Sequence, residues 1–83
     1  MDAIDFKKIL GERIRTVREA QGLSQDKLSK MIGGTSGGAY ISRLESGKVG
    51  ISVDNLYRIA VALDVELCDL VDFRKAISSI LRK

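Results

Sequence analysis

The chain has 83 residues, of which 45% are hydrophobic and 30% charged, with no proline, no histidine and one cysteine. This length gives one small domain over residues 1–83 and not two. Without histidine, and with Cys68 alone, the usual zinc ligand sets, a Ser-His-Asp or Cys-His catalytic arrangement and an intrachain disulfide are all excluded. No enzyme activity, metal or cofactor is expected. The formal net charge of +3 leans towards a polyanionic partner without establishing one. Asp2 and Asp5 interrupt any early apolar run, and no stretch reaches membrane length, so a cytoplasmic protein without membrane contact is expected.

The absence of proline and of alternating β-branched runs points to an all-α fold. Asp5 can cap a first helix running to about Gln21, with Gly22 just past its end. Phe6, Ile9, Leu10, Ile14, Val17 and Ala20 give it an apolar stripe at spacings of three and four, opposite the charged Lys7, Lys8, Glu12, Arg15 and Glu19. Leu23 can staple the start of the next helix, for which Ser24 is a good N-cap. Leu28, Met31 and Ile32 form that helix's stripe, and Gly33 is its expected left-handed stop.

A glycine-rich turn, GGTSGG over residues 33–38, leads to a second short helix with Ile41 and Leu44 on its apolar face and Gly47 at its end. Residues 24–47 thus have the shape of a helix-turn-helix, whose second helix can enter a major groove. The turn lacks the lysine and hydroxyl residue of a P-loop, so nucleotide binding is not the reading it supports. Its backbone amides, with Thr35 and Ser36, can instead meet a DNA phosphate.

Ser52 caps a further helix over about Val53 to Leu63, with Val53, Leu56, Tyr57, Ala60 and Leu63 expected on its buried side and Ile59 near the edge. Asp64 can leave the helix, and a last segment runs from about Leu67 towards Leu81. Its apolar residues, among them Leu70, Phe73, Ile77, Ile80 and Leu81, exceed what a small domain needs to seal itself. They either serve a partner subunit or dock on the first helix beside Phe6 and Ile9. A core this small favours oligomerisation. Cys68 reads as a small buried hydrophobe.

Several ordered elements resemble the Cro/C1-type (Xre-family) helix-turn-helix domain. They are Leu10-Gly11-Glu12-Arg13-Ile14-Arg15, Arg18, Gly22-Leu23-Ser24-Gln25, Gly33, Ile41-Ser42-Arg43-Leu44-Glu45, Gly47, and Ala62-Leu63 with Leu67 and Leu70 beyond. The resemblance implies a compact five-helix, lambda-repressor-like domain with a C-terminal helical extension, which reads double-stranded operator DNA as a homodimer. It places Gln25 at a DNA phosphate, and Tyr40 and Ser42 on the recognition helix with Gly38 and Ala39 at its leading edge. It sets Arg43, Ser46 and Lys48 on the backbone beyond, and Arg18 with Glu45 in an internal salt bridge. The final helix, Asp69 to Lys83, resembles the dimerisation element of small regulators, with Leu70, Phe73, Ile77, Ile80 and Leu81 as its interface.

The departure from the family is the turn, where seven residues separate Gly33 from Ile41 instead of the usual five. Gly38 and Ala39 also offer no side-chain hydrogen bond, so specificity is expected to lean on dimer spacing and DNA shape. No ligand-sensing segment is recognisable and no small-molecule ligand is expected. A restriction–modification controller, a phage or plasmid repressor and an antitoxin all fit, with the controller favoured by the final helix. The competing class is a protein-interaction module, a helix-turn-helix fold that has lost DNA binding.

Overall fold

The computed structural model describes residues 2–34 and 37–72, and only the backbone of Ala3 and Ile4. Asp2 opens the first helix, α1 (Ala3–Ala20), by accepting a hydrogen bond from the Asp5 backbone N–H at 2.9 Å. The sequence assigns that cap to Asp5. The two aspartates stand three apart, so Asp2 reaches the third N–H of the helix, and Asp5 falls in the acidic first turn. Gln21 ends α1, and Gly22 takes a left-handed φ of 70°.

Ser24 caps α2 (Gln25–Met31), its hydroxyl accepting from the Lys27 N–H at 3.0 Å, and Gly33 turns the chain out at φ 83°. The second motif helix, α3 (Ala39–Glu45), begins at Gly38 with no side-chain cap. Ser52 caps α4 (Val53–Ala62) through the Asn55 N–H at 3.1 Å. Asp64, left-handed at φ 55°, leads away from α4 towards α5 (Leu67–Val71). The helix expected to run from Leu67 towards Leu81 stops at Val71, because Asp72 is extended with ψ 95°. Phe73, Ile77, Ile80 and Leu81 lie outside the described residues.

The core joins Leu10 and Ile14 of α1, Leu28 of α2, Ile41 and Leu44 of α3, Ile59, Ala60 and Leu63 from α4 and its end, and Leu70 of α5. Helix α3 packs on both α1 and α2, while α5 closes on α1 and α4. Gly11 permits the first of these contacts. A Cβ there would overlap the Leu44 carbonyl oxygen and come within 2.7 Å of the Glu45 carbonyl oxygen. Gln21 donates from its side-chain amide to the Leu63 carbonyl, tying the end of α1 to the end of α4. Among the described residues no helix is long and apolar enough to cross a membrane.

Packing corrects several sequence expectations. On α4 the buried row is Leu56, Ile59, Ala60 and Leu63, at spacings of three, four and seven from Leu56. Ile59 is fully buried, whereas Val53 is 77% exposed and Tyr57 60%. Helix α4 carries two apolar rows and the core takes only one. Leu70, read as a subunit contact, is fully buried in the chain's own core. Its side chain has no surface left to give a partner. Phe6 also stays 46% exposed, so the inward face of α1 is sealed from Leu10 onward. Cys68 is exposed on α5 rather than buried.

Candidate nucleic-acid interface

The geometry of the motif is set by a buried ion pair. From α1, Arg18 Nε donates to Glu45 Oε2 at 2.7 Å and Arg18 Nη2 to Glu45 Oε1 at 3.0 Å, a bidentate fork. Arg18 Nη1 donates to the Leu23 carbonyl at 2.6 Å, and Gln25 Nε2 donates to Glu45 Oε1 at 3.1 Å. The carboxylate at the end of α3 therefore fastens α1 and the first residue of α2, and Arg18 in turn holds the α1–α2 turn. The hydrogen bonds that Arg18 donates to Glu45 raise its pKa above the ordinary value, against the opposing pull of burial, so the guanidinium stays charged. No buried side-chain polar atom among the described residues lacks a partner.

The residues that the family resemblance assigns to DNA fall at two ends of α3. At its start, Gly38 abuts the first turn of α2, and a Cβ on Gly38 would lie 3.0 Å from the Gln25 Cβ. Gln25 is half-buried and its amide is engaged by Glu45, which fixes its direction. Ala39 and Ser42 are exposed on α3. Tyr40 is half-buried against the core, and its hydroxyl accepts from Asn55 Nδ2 at 3.0 Å. That bond couples α3 to the first turn of α4, and the ring is part of the packing as well as of the α3 surface.

At the other end, Arg43, Ser46 and Lys48 are all exposed. The Ser46 hydroxyl is turned back on its own helix, donating to the Arg43 carbonyl at 3.1 Å. Arg43 and Lys48 make no ion pair among the described residues, which leaves both cations available to an anion. Thr35 and Ser36 lie outside the described residues.

Sequence reasoning missed two contributors. Asn55 has no signal in the sequence beyond its place in the first turn of α4. Asp26, on α2, reads as an ordinary acidic residue near a helix N-terminus. The structure sets its carboxylate against the start of α3, since a Cβ on Gly38 would lie 2.8 Å from Asp26 Oδ1.

Comparison with known proteins agrees with this architecture. The Helix-turn-helix family HTH_3 matches residues 14–70. An uncharacterized HTH-type transcriptional regulator, y4dJ, of Sinorhizobium fredii is 32% identical over 68 residues, covering 82% of this chain and 86% of its own. The control protein C.BamHI of Bacillus amyloliquefaciens is 33% identical over 70 residues, covering 83% and 84%. Among solved structures, the restriction-modification controller protein C.AhdI from Aeromonas hydrophila superposes with a TM-score of 0.71 at 35% identity, over 76% of this chain and 92% of that one. With the α2–turn–α3 unit, the buried pair behind it and a family match across most of the fold, the chain belongs to the helix-turn-helix family of Cro/C1 (Xre) type.

Proposed function

We propose that this protein is a sequence-specific DNA-binding transcriptional regulator that acts in the cytoplasm as a homodimer on a pseudo-palindromic operator and regulates its own gene. The observation that carries this reading is the α2–α3 unit clamped by Arg18 and Glu45, with Arg43 and Lys48 exposed at the far end of α3 and without an ion pair among the described residues. A recognition helix is useful only if its orientation is fixed, and the ion pair fixes it. The two free cations then supply phosphate contacts that hold the register. Relatives named as control and controller proteins support a controller-like role. Two α3 helices about 34 Å apart would meet successive major grooves.

The test is fluorescence anisotropy with duplex from immediately upstream of the gene and with scrambled duplex, at two salt concentrations. Tighter binding to the upstream duplex, by about a hundredfold or more, is expected. Arg43 and Lys48 from two subunits neutralise four phosphates, so log affinity should fall with log salt at a slope of about −4 or steeper. A flat salt response or equal affinity for both duplexes overturns the reading.

A second reading has one observation of its own. Val53, Tyr57 and Val61 leave an exposed apolar row on α4, and the exposed Met31 of α2 lines one shallow groove with Tyr57 and Val61, which suits a partner protein. Failure to retard any duplex at low salt would favour that partner-binding role.

A further inference from the structure

The leading edge of α3 has no reading side chain of its own, because its first residues are Gly38 and Ala39. The structure fills this gap from the neighbouring helix. A Cβ built on Gly38 would lie 2.8 Å from Asp26 Oδ1, and one built on Gly37 would lie 3.4 Å from the same oxygen. The carboxylate therefore occupies space that a side chain at Gly38 would need, and lies at contact distance from a Cβ at Gly37. Asp26 is exposed, and no hydrogen bond or ion pair to its carboxylate is present among the described residues. Lys27 and Lys30 share its helix without pairing to it.

We propose that Asp26 is a specificity-determining residue that accepts a hydrogen bond from a cytosine amino group in the major groove. The inference rests on the DNA-binding reading above and deepens it. A carboxylate at the leading edge cannot serve as a phosphate contact, since like charges repel. It is acceptor-only when ionised, so it selects bases by the donors they present. In the major groove those donors are the N4 amino group of cytosine and the N6 amino group of adenine. Adenine sets its N7 acceptor beside the amino group, and guanine presents only acceptors; both repel a carboxylate. Thymine offers an acceptor and a methyl group. Cytosine alone gives a donor with no acceptor beside it on its own ring, the nearest being the O6 of its paired guanine. The glycines at 37 and 38 then have a role: they leave the Asp26 carboxylate as the group at the front of α3.

The experiment is selection from a randomised duplex pool by the full chain, by Asp26→Asn and by Asp26→Ala, followed by anisotropy on single-base variants of the selected site. Asp26→Asn keeps the size of the side chain and controls for folding. The wild-type chain is expected to select one cytosine in each half-site and to discriminate against other bases there by about five- to a hundredfold. Asp26→Asn should move that position towards adenine, whose N6 and N7 suit an amide. Asp26→Ala should flatten it and leave the rest of the site unchanged. Identical sites from wild type and Asp26→Ala overturn the proposal. So does uniformly tighter binding of Asp26→Ala to every duplex, which would make the carboxylate only an electrostatic brake. A wild-type chain that binds no duplex overturns the DNA-binding reading itself.

Discussion

Replacing Arg18 by methionine tests whether the buried pair holds the motif together. The change leaves the Glu45 carboxylate buried, with the Gln25 amide as its one remaining donor among the described residues, and removes the donor to the Leu23 carbonyl. Breaking a buried pair in this way costs about 3–5 kcal/mol, chiefly because one charge is left uncompensated. A chain of 83 residues holds roughly 4–12 kcal/mol in all, so the loss is from about a quarter to all of its stability. The pair itself is a different matter. In Arg18→Met/Glu45→Met both charges are gone, and what remains is the cost of an unpaired Leu23 carbonyl and Gln25 amide. Both groups are only part-buried and can be met by water, so the double variant should lie within about 2 kcal/mol of wild type. The assay is urea unfolding followed by far-UV circular dichroism, at one protein concentration because self-association would shift the midpoint. With an m-value of about 1 kcal/mol/M, the single variant should lose about 3 M or more in midpoint. A single variant costing less than about 1 kcal/mol would mean that the pair behaves like an exposed one and that α3 is held by packing alone. A double variant less stable than Arg18→Met would refute the account of why the single change is costly.

The exposed Arg15–Glu19 pair, at 3.5 Å on α1, is the natural control: Glu19→Ala should cost no more than about 0.5 kcal/mol in the same assay. Gly11→Ala should lower the thermal midpoint by about 5–20 °C, because its Cβ meets the Leu44 and Glu45 carbonyl oxygens and backbone cannot swing aside. Ser52→Ala removes the cap on α4 and should cost about 1 kcal/mol in urea unfolding. Tyr40→Phe deletes the acceptor for Asn55 Nδ2, with an expected loss of about 0.5–1.5 kcal/mol; an unchanged midpoint would show that the bond adds nothing.

Local chemistry was the most readable part of the sequence. Ser24 and Ser52 cap where a serine before an apolar period should, and the glycines at 22, 33 and 47 take the positive φ expected at helix ends. The misreadings have a common origin, an excess of residues that satisfy the same rule. Asp2 and Asp5 can each cap α1, and only the backbone decides between them. Val53 and Tyr57 obey the helical period as well as Ile59 does, because α4 has two apolar rows and periodicity does not say which faces the core. Leu70 shows a further limit. Helical spacing marks a side chain as wanting burial, but it does not distinguish the chain's own core from a subunit interface. Asp26 was invisible for another reason: its place beside Gly38 depends on how α2 and α3 cross, and no local pattern records that.

The two extra residues of the turn show how anchoring and reading are separated in this fold. Lengthening the connection between Gly33 and Ile41 from five residues to seven adds only about 0.3 kcal/mol of loop-closure entropy. That is small beside the cost of disturbing the Arg18–Glu45 pair. Ile41, Leu44 and Glu45 are buried, and Gly11 and Arg18 grip α3 towards its C-terminal end. The longer connection enters on the other side, between Gly33 and Ile41. The helix therefore keeps its seat on α1 and α2 while its N-terminal edge is free to change. Bringing glycines to that edge removes side chains from α3 and opens the space that the Asp26 carboxylate occupies. On the proposal that Asp26 reads a base, the reading group lies on α2 while the Arg18–Glu45 pair holds the far end of α3 in place.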